Sequence, residues 1–257
     1  RCSFQLQHNL STTNSELLSL KAFSLILNYM SKSFLCSILC FNNEKIIQKL
    51  IDDFNSCYEL RDINIVFIDD NSSDDTHKIL MQNNLSIIKH NVNLGYGAAV
   101  KSSFRYAKSN KLDYLCIFPG DYQRSIKDLL TMIKLQQSNK FDLISGSKFN
   151  YIKYIPTHRK IGNLFYSKLA KYFWNSKLED VLSGFKLYRV KKFIDIVEKM
   201  PNNYSFDIVL NQIFSNKNFI CKEFEAEVKY NDQTSKMKSA FYFGKKNILY
   251  IGINMFV

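Results

Sequence analysis

The sequence predicts an α/β fold with a mainly parallel central sheet and helices on both faces. Three observations predict it. From residue 34 onward, short runs rich in Ile, Val, Phe and Leu alternate with amphipathic helical stretches. At 257 residues, with 46% hydrophobic and 23% charged side chains, the chain is long enough to bury one large core. Polar and glycine-containing motifs recur where the apolar runs end.

Strands are expected at residues 34–41, 64–68, 85–89, 114–118 and 143–145, each rich in β-branched, aromatic or leucine side chains. Between the first two, residues 44–55 place Ile46, Ile47, Leu50, Ile51 and Phe54 on one helical face. Residues 125–136 repeat the device with Ile126, Leu129, Leu130 and Ile133. Strands separated by helices run parallel, and ligands of such sheets sit outside the strands' carboxyl ends. Beyond Gly146 the rhythm changes. A long helix over residues 158–175 carries Ile161, Phe165, Leu169, Tyr172 and Phe173. A short strand at 185–188, helices near 191–200 and 206–214, and strand-like pieces at 219–224 and 225–230 follow. The chain therefore divides into an N-terminal extension (1–32), one α/β domain (33–238) and a C-terminal amphipathic, membrane-proximal segment (239–257).

The balance of 35 Lys+Arg against 23 Asp+Glu, formally +12, suits a polyanionic partner. The basic residues are spread along the chain, without a helix-turn-helix, zinc-finger or RNA-binding signature. A phosphate-rich ligand and a membrane surface are expected, and no nucleic acid. None of the six cysteines forms a Cys-x-x-Cys pair, and Cys36, Cys40 and Cys116 lie inside apolar runs, as reduced thiols of a reducing compartment would. The four histidines are scattered as surface or supporting residues, so a histidine metal site is not expected. Residues 17–30 and 248–257 are apolar but too short to span a bilayer. Lys236, Lys238, Lys245 and Lys246 precede the second, each worth about 1 kcal/mol near an anionic surface. The chain begins at Arg1 rather than Met, so a fragment with a spanning helix beyond Val257 stays open.

The second strand runs into Asp69-Asp70-Asn71-Ser72-Ser73-Asp74-Asp75-Thr76. Carboxylates at that point suit the hydrogen-bond donors of a nucleoside. Ser72 or Ser73 is equally suited to cap the next helix, which leaves Asp69 and Asp70 free. The third strand ends in Asn93-Leu94-Gly95-Tyr96-Gly97, where two glycines allow a ligand to approach the backbone closely, or simply make a turn. The fourth ends in Pro119-Gly120-Asp121-Tyr122-Gln123. Asp121 and Gln123 put two oxygens together, as a hard divalent cation on a diphosphate requires; a polar turn capping the next helix is the alternative.

Together and in order, these segments resemble glycosyltransferase family 2, in particular its polyprenyl-phosphate (dolichol-phosphate-type) sugar transferases. The matching pieces are Phe41-Asn42-Asn43-Glu44, the D-D-N-S run from Asp69, N-x-G-x-G from Asn93, and G-D-x-Q from Gly120. Gly146-Ser147-Lys148, Arg159, D-x-x-S-G-F-K from Asp180 and Ser235-Lys236-Met237 complete the series.

The resemblance implies a GT-A, Rossmann-like fold and an inverting, membrane-associated transferase at the cytosolic face. It would move sugar from a nucleotide-diphosphate sugar to a polyprenyl phosphate. It implies Mg²⁺ or Mn²⁺ at Asp121 and Gln123. Asp70 would hold the nucleobase with Asp69 beside it. Phe41, Asn43, Glu44, Asn93, Gly95 and Gly97 would complete the donor site. Lys148, Arg159 and Lys236 would neutralise phosphates, and Asp180 with Ser183, Gly184 and Lys186 would lie on the acceptor side. For a hydroxyl acceptor, Asp180 is the candidate base. Pro119 stands where the family carries its first metal-motif Asp, and Asn43 where it carries Glu. Lys229 is the candidate substitute for a missing Arg-x-x-Gly. A glycan-directed transferase and a non-catalytic homologue are the alternative readings.

Overall fold

The computed structural model describes residues 33–149, 157–215 and 217–229; the N-terminal extension, the C-terminal segment and Lys236 lie outside them. Strand β1 (Phe34–Cys40) is followed by α1 (Glu44–Ser56), β2 (Asn64–Asp69), α2 (Thr76–Gln82), β3 (Ile87–Lys89) and α3 (Tyr96–Ser109). Then come β4 (Tyr114–Pro119), α4 (Ile126–Ser138), β5 (Leu143–Ser147) and α5 (Thr157–Trp174). The order ends with β6 (Lys186–Arg189), α6 (Val190–Val197), α7 (Phe206–Ser215) and β7 (Cys221–Glu225).

Among the described residues, seven strands form one sheet in the order β3-β2-β1-β4-β6-β5-β7. Only β6 runs against its neighbours, β4 and β5; the other pairs are parallel. Burial on both faces follows from the two-residue period of a strand. On β4, Leu115 and Ile117 enter one core with Val100 and Phe104 of α3 and Phe193 of α6. Cys116 and Phe118 enter the other, with Leu50 and Phe54 of α1 and Leu129 and Met132 of α4. Each such large apolar side chain contributes roughly 1.5–3 kcal/mol by leaving water. The five cysteines among the described residues are free, with Cys36, Cys40 and Cys116 buried; Cys2 lies outside them.

Local chemistry moves some boundaries. Ser125 is not the first residue of α4 but its cap, accepting the Asp128 N–H at 3.1 Å. Neither Ser72 nor Ser73 caps α2, which starts at Thr76 behind Asp75. Residues 85 and 86 stay outside β3, and the two pieces expected over 219–230 are one five-residue strand, β7. Among the described residues no helix is long and apolar enough to cross a membrane.

Candidate active site

Because β1 is central, its carboxyl end organises the motifs around it. Cys40 O accepts the Asp70 N–H and Leu39 O the Gly120 N–H, both at 2.9 Å. The exits of β2 and β4 thus flank β1, on the order of 10 Å apart at the usual strand spacing. Asp70 and Asp121 leave the same edge. The reversed β6 brings a third group there. Its amino end lies beside the carboxyl end of β5, where Gly146 N–H donates to Phe185 O at 3.0 Å. Lys148, Asp180, Ser183 and Gly184 therefore join the same edge.

The two leading carboxylates are not free, contrary to the expectation that capping would leave them so. Asp69 Oδ1 accepts from Ser72 N at 2.9 Å and Ser72 Oγ at 2.6 Å. Its Oδ2 lies 3.2 Å from His77 Nδ1, misaligned for a hydrogen bond. Asp70, 6% exposed, grips the next loop: Oδ1 accepts from Leu94 N and Oδ2 from Gly95 N, both at 2.8 Å. His90 Nδ1 sits 2.7 Å from Oδ1, and Asn93 Nδ2 donates to the Asp70 carbonyl at 3.3 Å. Asp70 is thus the clamp of the Asn93–Gly95 loop.

The glycines of that loop approach protein, not open space. A Cβ on Gly95, whose φ is +95°, would lie 2.7 Å from Asn202 O, and one on Gly97 2.1 Å from Pro201 O. Ala98 N–H donates to Asn202 O at 3.2 Å. The close approach read from Gly-x-Gly is that of α3 to the 201–203 backbone.

Asn43 and Glu44 join the turns after β1 and β2. Asn43, 4% exposed, accepts the Phe41 N–H on Oδ1 at 2.8 Å and donates its own N–H to Thr76 Oγ1 at 2.6 Å. Its Nδ2 is buried without a partner among the described residues. Glu44 Oε2 accepts from Asp75 N and Asp74 Oδ2 from Glu44 N. The Phe41 ring is partly exposed at this edge.

In the loop after β4, Asp121 Oδ1 accepts the Gln123 N–H at 3.1 Å. Tyr122 takes a left-handed φ of 60° and donates its hydroxyl to Asp53 Oδ2 on α1. Among the described residues no group of three His, Cys, Asp or Glu could hold a metal. A cation bridging a diphosphate does not need one, since Mg²⁺ is commonly held by one or two carboxylates plus substrate phosphates. A half-buried Asp121 carboxylate, with a Gln side chain two residues on, fits that donor set by residue type.

On the third flank, Asp180 is fully buried and held by Lys148, through Lys148 N at 3.1 Å and Nζ at 3.3 Å. Burial pulls the Lys148 ammonium pKa down, opposed by the Asp180 charge. Glu223 accepts the N–H groups of Glu179 and Asp180, and burial raises its own pKa. Ser183 Oγ donates to Gly146 O at 2.6 Å, and Gly184 faces the Tyr96 hydroxyl. Lys186, expected to touch substrate, is 1% exposed and spans Asp207, Ser183 O and Val181 O. It fastens the Val181–Ser183 turn to α7.

Arg159 lies in the first turn of α5, and Lys236 falls outside the described residues. Sequence reasoning missed His90, Arg124, Asp207 and Glu223. His90 could have been found by the strand-end rule, since it directly follows β3. The others carry no local signal, because their partners in these bonds lie 21, 43 and 102 positions away in the chain.

The family model for glycosyl transferase family 2 matches residues 36–197. An uncharacterized protein of Methanocaldococcus jannaschii is 28% identical over 209 residues, covering 76% of this chain and 88% of that protein. The UDP-N-acetylglucosamine–dolichyl-phosphate N-acetylglucosaminyltransferase of Methanococcus voltae is 25% identical over 172 residues, 59% of this chain and 67% of the relative. Among solved structures, glucosyl-3-phosphoglycerate synthase from Mycobacterium tuberculosis with UDP aligns with a TM-score of 0.60 at 14% identity, covering 79% of this chain and 73% of that one. Its complex with Mn²⁺ and UDP-glucose gives 0.59 at 13%, over 87% and 82%. These likenesses show the GT-A fold. With more than half of its length matched by the family model, the chain belongs to glycosyl transferase family 2.

Proposed function

We propose that the protein transfers a sugar from a nucleotide-diphosphate sugar to a polyprenyl phosphate, with inversion, at the cytosolic face of a membrane. The observation that carries this reading is the meeting of three motif groups at one sheet edge: Asp69-Asp70 after β2, Asp121-Gln123 after β4, and Lys148-Asp180 between β5 and β6. The relative from Methanococcus voltae, a dolichyl-phosphate transferase by name, supports the acceptor class. The structural neighbours with UDP and Mn²⁺ support the donor and the cation.

In the proposed reaction an acceptor phosphate oxygen forms a bond to the anomeric carbon as the bond to the nucleoside diphosphate breaks. Asp121 and Gln123 would hold Mg²⁺ or Mn²⁺, which when bound neutralises charge on the departing diphosphate. Asp70 shapes the donor side by holding the Asn93–Gly95 loop. Lys148 and the helix-borne Arg159 supply positive charge, with Lys236 as a further candidate. An acceptor phosphate is anionic at neutral pH and needs no strong base. That agrees with Asp180, whose two oxygens are both taken by Lys148. A sugar-hydroxyl acceptor would instead need Asp180 released. Ile161, Phe165, Tyr172 and Phe173 are exposed on α5 beside the exposed Lys168 and Lys171, a pattern suited to an anionic bilayer surface.

The test is nucleoside diphosphate release across UDP- and GDP-sugars with Mn²⁺ or Mg²⁺, with and without polyprenyl phosphate in detergent. Metal-dependent release stimulated by the lipid is expected. Asp121→Ala should lower turnover at least a hundredfold, or about 3 kcal/mol. Release indifferent to lipid phosphate but raised by a glycan would overturn the acceptor. Unchanged turnover in Asp121→Ala would overturn the metal assignment.

A further inference from the structure

We infer that Arg124 is a positioning residue that locks the Asp121–Gln123 loop to the acceptor-side turn and to the segment that follows β7. The inference rests on the proposed role of that loop in holding a cation-bound nucleotide. Arg124 is 7% exposed although charged. Its Nη1 donates to Ala226 O at 3.3 Å and Glu227 O at 3.4 Å, and its Nη2 to Gly146 O at 3.4 Å and Ser183 Oγ at 3.5 Å. The guanidinium carbon lies 5.5 Å from the centre of the Phe185 ring.

Four chain segments therefore meet on one side chain: the loop after β4, the end of β5, the turn before β6 and residues 226–227. A guanidinium presents five N–H donors in a rigid planar fork, which suits carbonyls arriving from two sides; an ammonium offers three on a flexible stem. A charge taken out of water needs such partners to stay charged. Each of these four contacts is long, so what they contribute together is the number of segments joined.

Neighbouring bonds complete the junction. Lys229 N–H donates to Gln123 O at 3.0 Å, Glu227 N–H to Asp128 Oδ2 at 3.0 Å, and Ala226 N–H to Ser147 O at 2.9 Å. Residues 226–229 thus lie across the backbone of the loop that bears Asp121. The Ser183 hydroxyl reached by Arg124 also donates to Gly146 O, so Arg124 touches the end of β5, just before Lys148, and the turn after Asp180 together. A shift of Arg124 moves the donor-side carboxylate relative to the acceptor-side cation.

The test uses the full chain and calorimetric titration with UDP and GDP, with and without MnCl₂, alongside thermal denaturation. Arg124→Gln should weaken Mn²⁺-dependent nucleotide binding by about 10–100-fold, the usual cost of losing a residue that supports a metal ligand. Arg124→Lys should restore part of it. In Asp121→Ala/Arg124→Gln, affinity should match Asp121→Ala alone, because Arg124 acts through the loop. A purely structural arginine would lower the melting temperature and leave nucleotide affinity unchanged in the folded protein, and that result overturns the inference. Should Arg124→Gln not fold, Arg124→Lys and Ser183→Ala carry the test, and wild-type affinity in both overturns it. Absence of Mn²⁺-dependent nucleotide binding in the unmodified protein would instead overturn the proposed function, and this inference with it.

Discussion

Nδ1 of His90 lies 2.7 Å from Oδ1 of Asp70, while Nε2 of the same ring meets Ser102 Oγ at 2.8 Å. The buried ring holds in one rotamer the carboxylate that grips Leu94 and Gly95. His90→Phe keeps the volume but leaves a buried carboxylate oxygen short of a partner. A loss of about 1–3 kcal/mol in urea denaturation is expected. Stability within experimental error of the parent would show that the clamp does not depend on the imidazole.

Lys186 and Asp207 form a buried ion pair, 1% and 6% exposed at the side chain. Lys186→Met alone strands the Asp207 carboxylate, and a loss of about 3–5 kcal/mol is expected. Replacing both partners, as Lys186→Met/Asp207→Leu, should recover most of it, because neither charge then has to be desolvated. Chemical denaturation of the two variants compares the outcomes directly. A double variant no more stable than the single one would mean that the pair is not the main partner of either residue.

Two glycines should respond oppositely to alanine. At Gly97 the added carbon meets Pro201 O at 2.1 Å, and the rigid backbone on both sides has to shift. Gly97→Ala is expected to cost about 1–3 kcal/mol or more, read by thermal melts and by recovery of folded protein. Among the described residues, nothing lies within 4 Å of a would-be Cβ on Gly162 in α5. Gly162→Ala should stabilise by about 0.5–1 kcal/mol through helix propensity.

The Tyr122 phenol, held chiefly by the hydrogen bond to Asp53 and then by burial, is pushed up from 10.0 to about 12. The folded state keeps this proton where the unfolded state loses it. The associated stability is therefore fully present below pH 10 and lost as pH rises through about 12. A pH titration of phenolate absorbance should lose one late-ionising tyrosine in Tyr122→Phe, while the buried Tyr96 and Tyr188, which burial also pushes up, stay in both proteins. Stability curves of the two proteins should converge toward the alkaline end. Identical titrations would remove Asp53 as the anchor of this loop.

Much of the architecture was legible because it rests on local patterns. The apolar faces of α1 and α4 lay at helical spacing, and the strand cores of β1, β2 and β4 were short runs dominated by Ile, Phe, Leu, Val and Cys. β3 was overestimated, since only three residues pair with β2. The reversed β6 could not be read, because its direction depends on where α5 returns the chain and not on the four residues of the strand.

By itself, the sequence determined the parallel α/β class, the family, and which residues stand at strand ends, since periodicity and motif order are properties of neighbouring residues. Tertiary structure alone decided what those residues face. Asp70 turns to His90 and the Leu94–Gly95 backbone, Gly95 and Gly97 pack on residues 201–203, and Lys186 is buried against Asp207. The physical reason is that a carboxylate, an ammonium or a glycine looks the same in a sequence whether it meets a ligand or its own chain. Each is committed by partners 20 to more than 100 positions away, brought near only when the sheet closes.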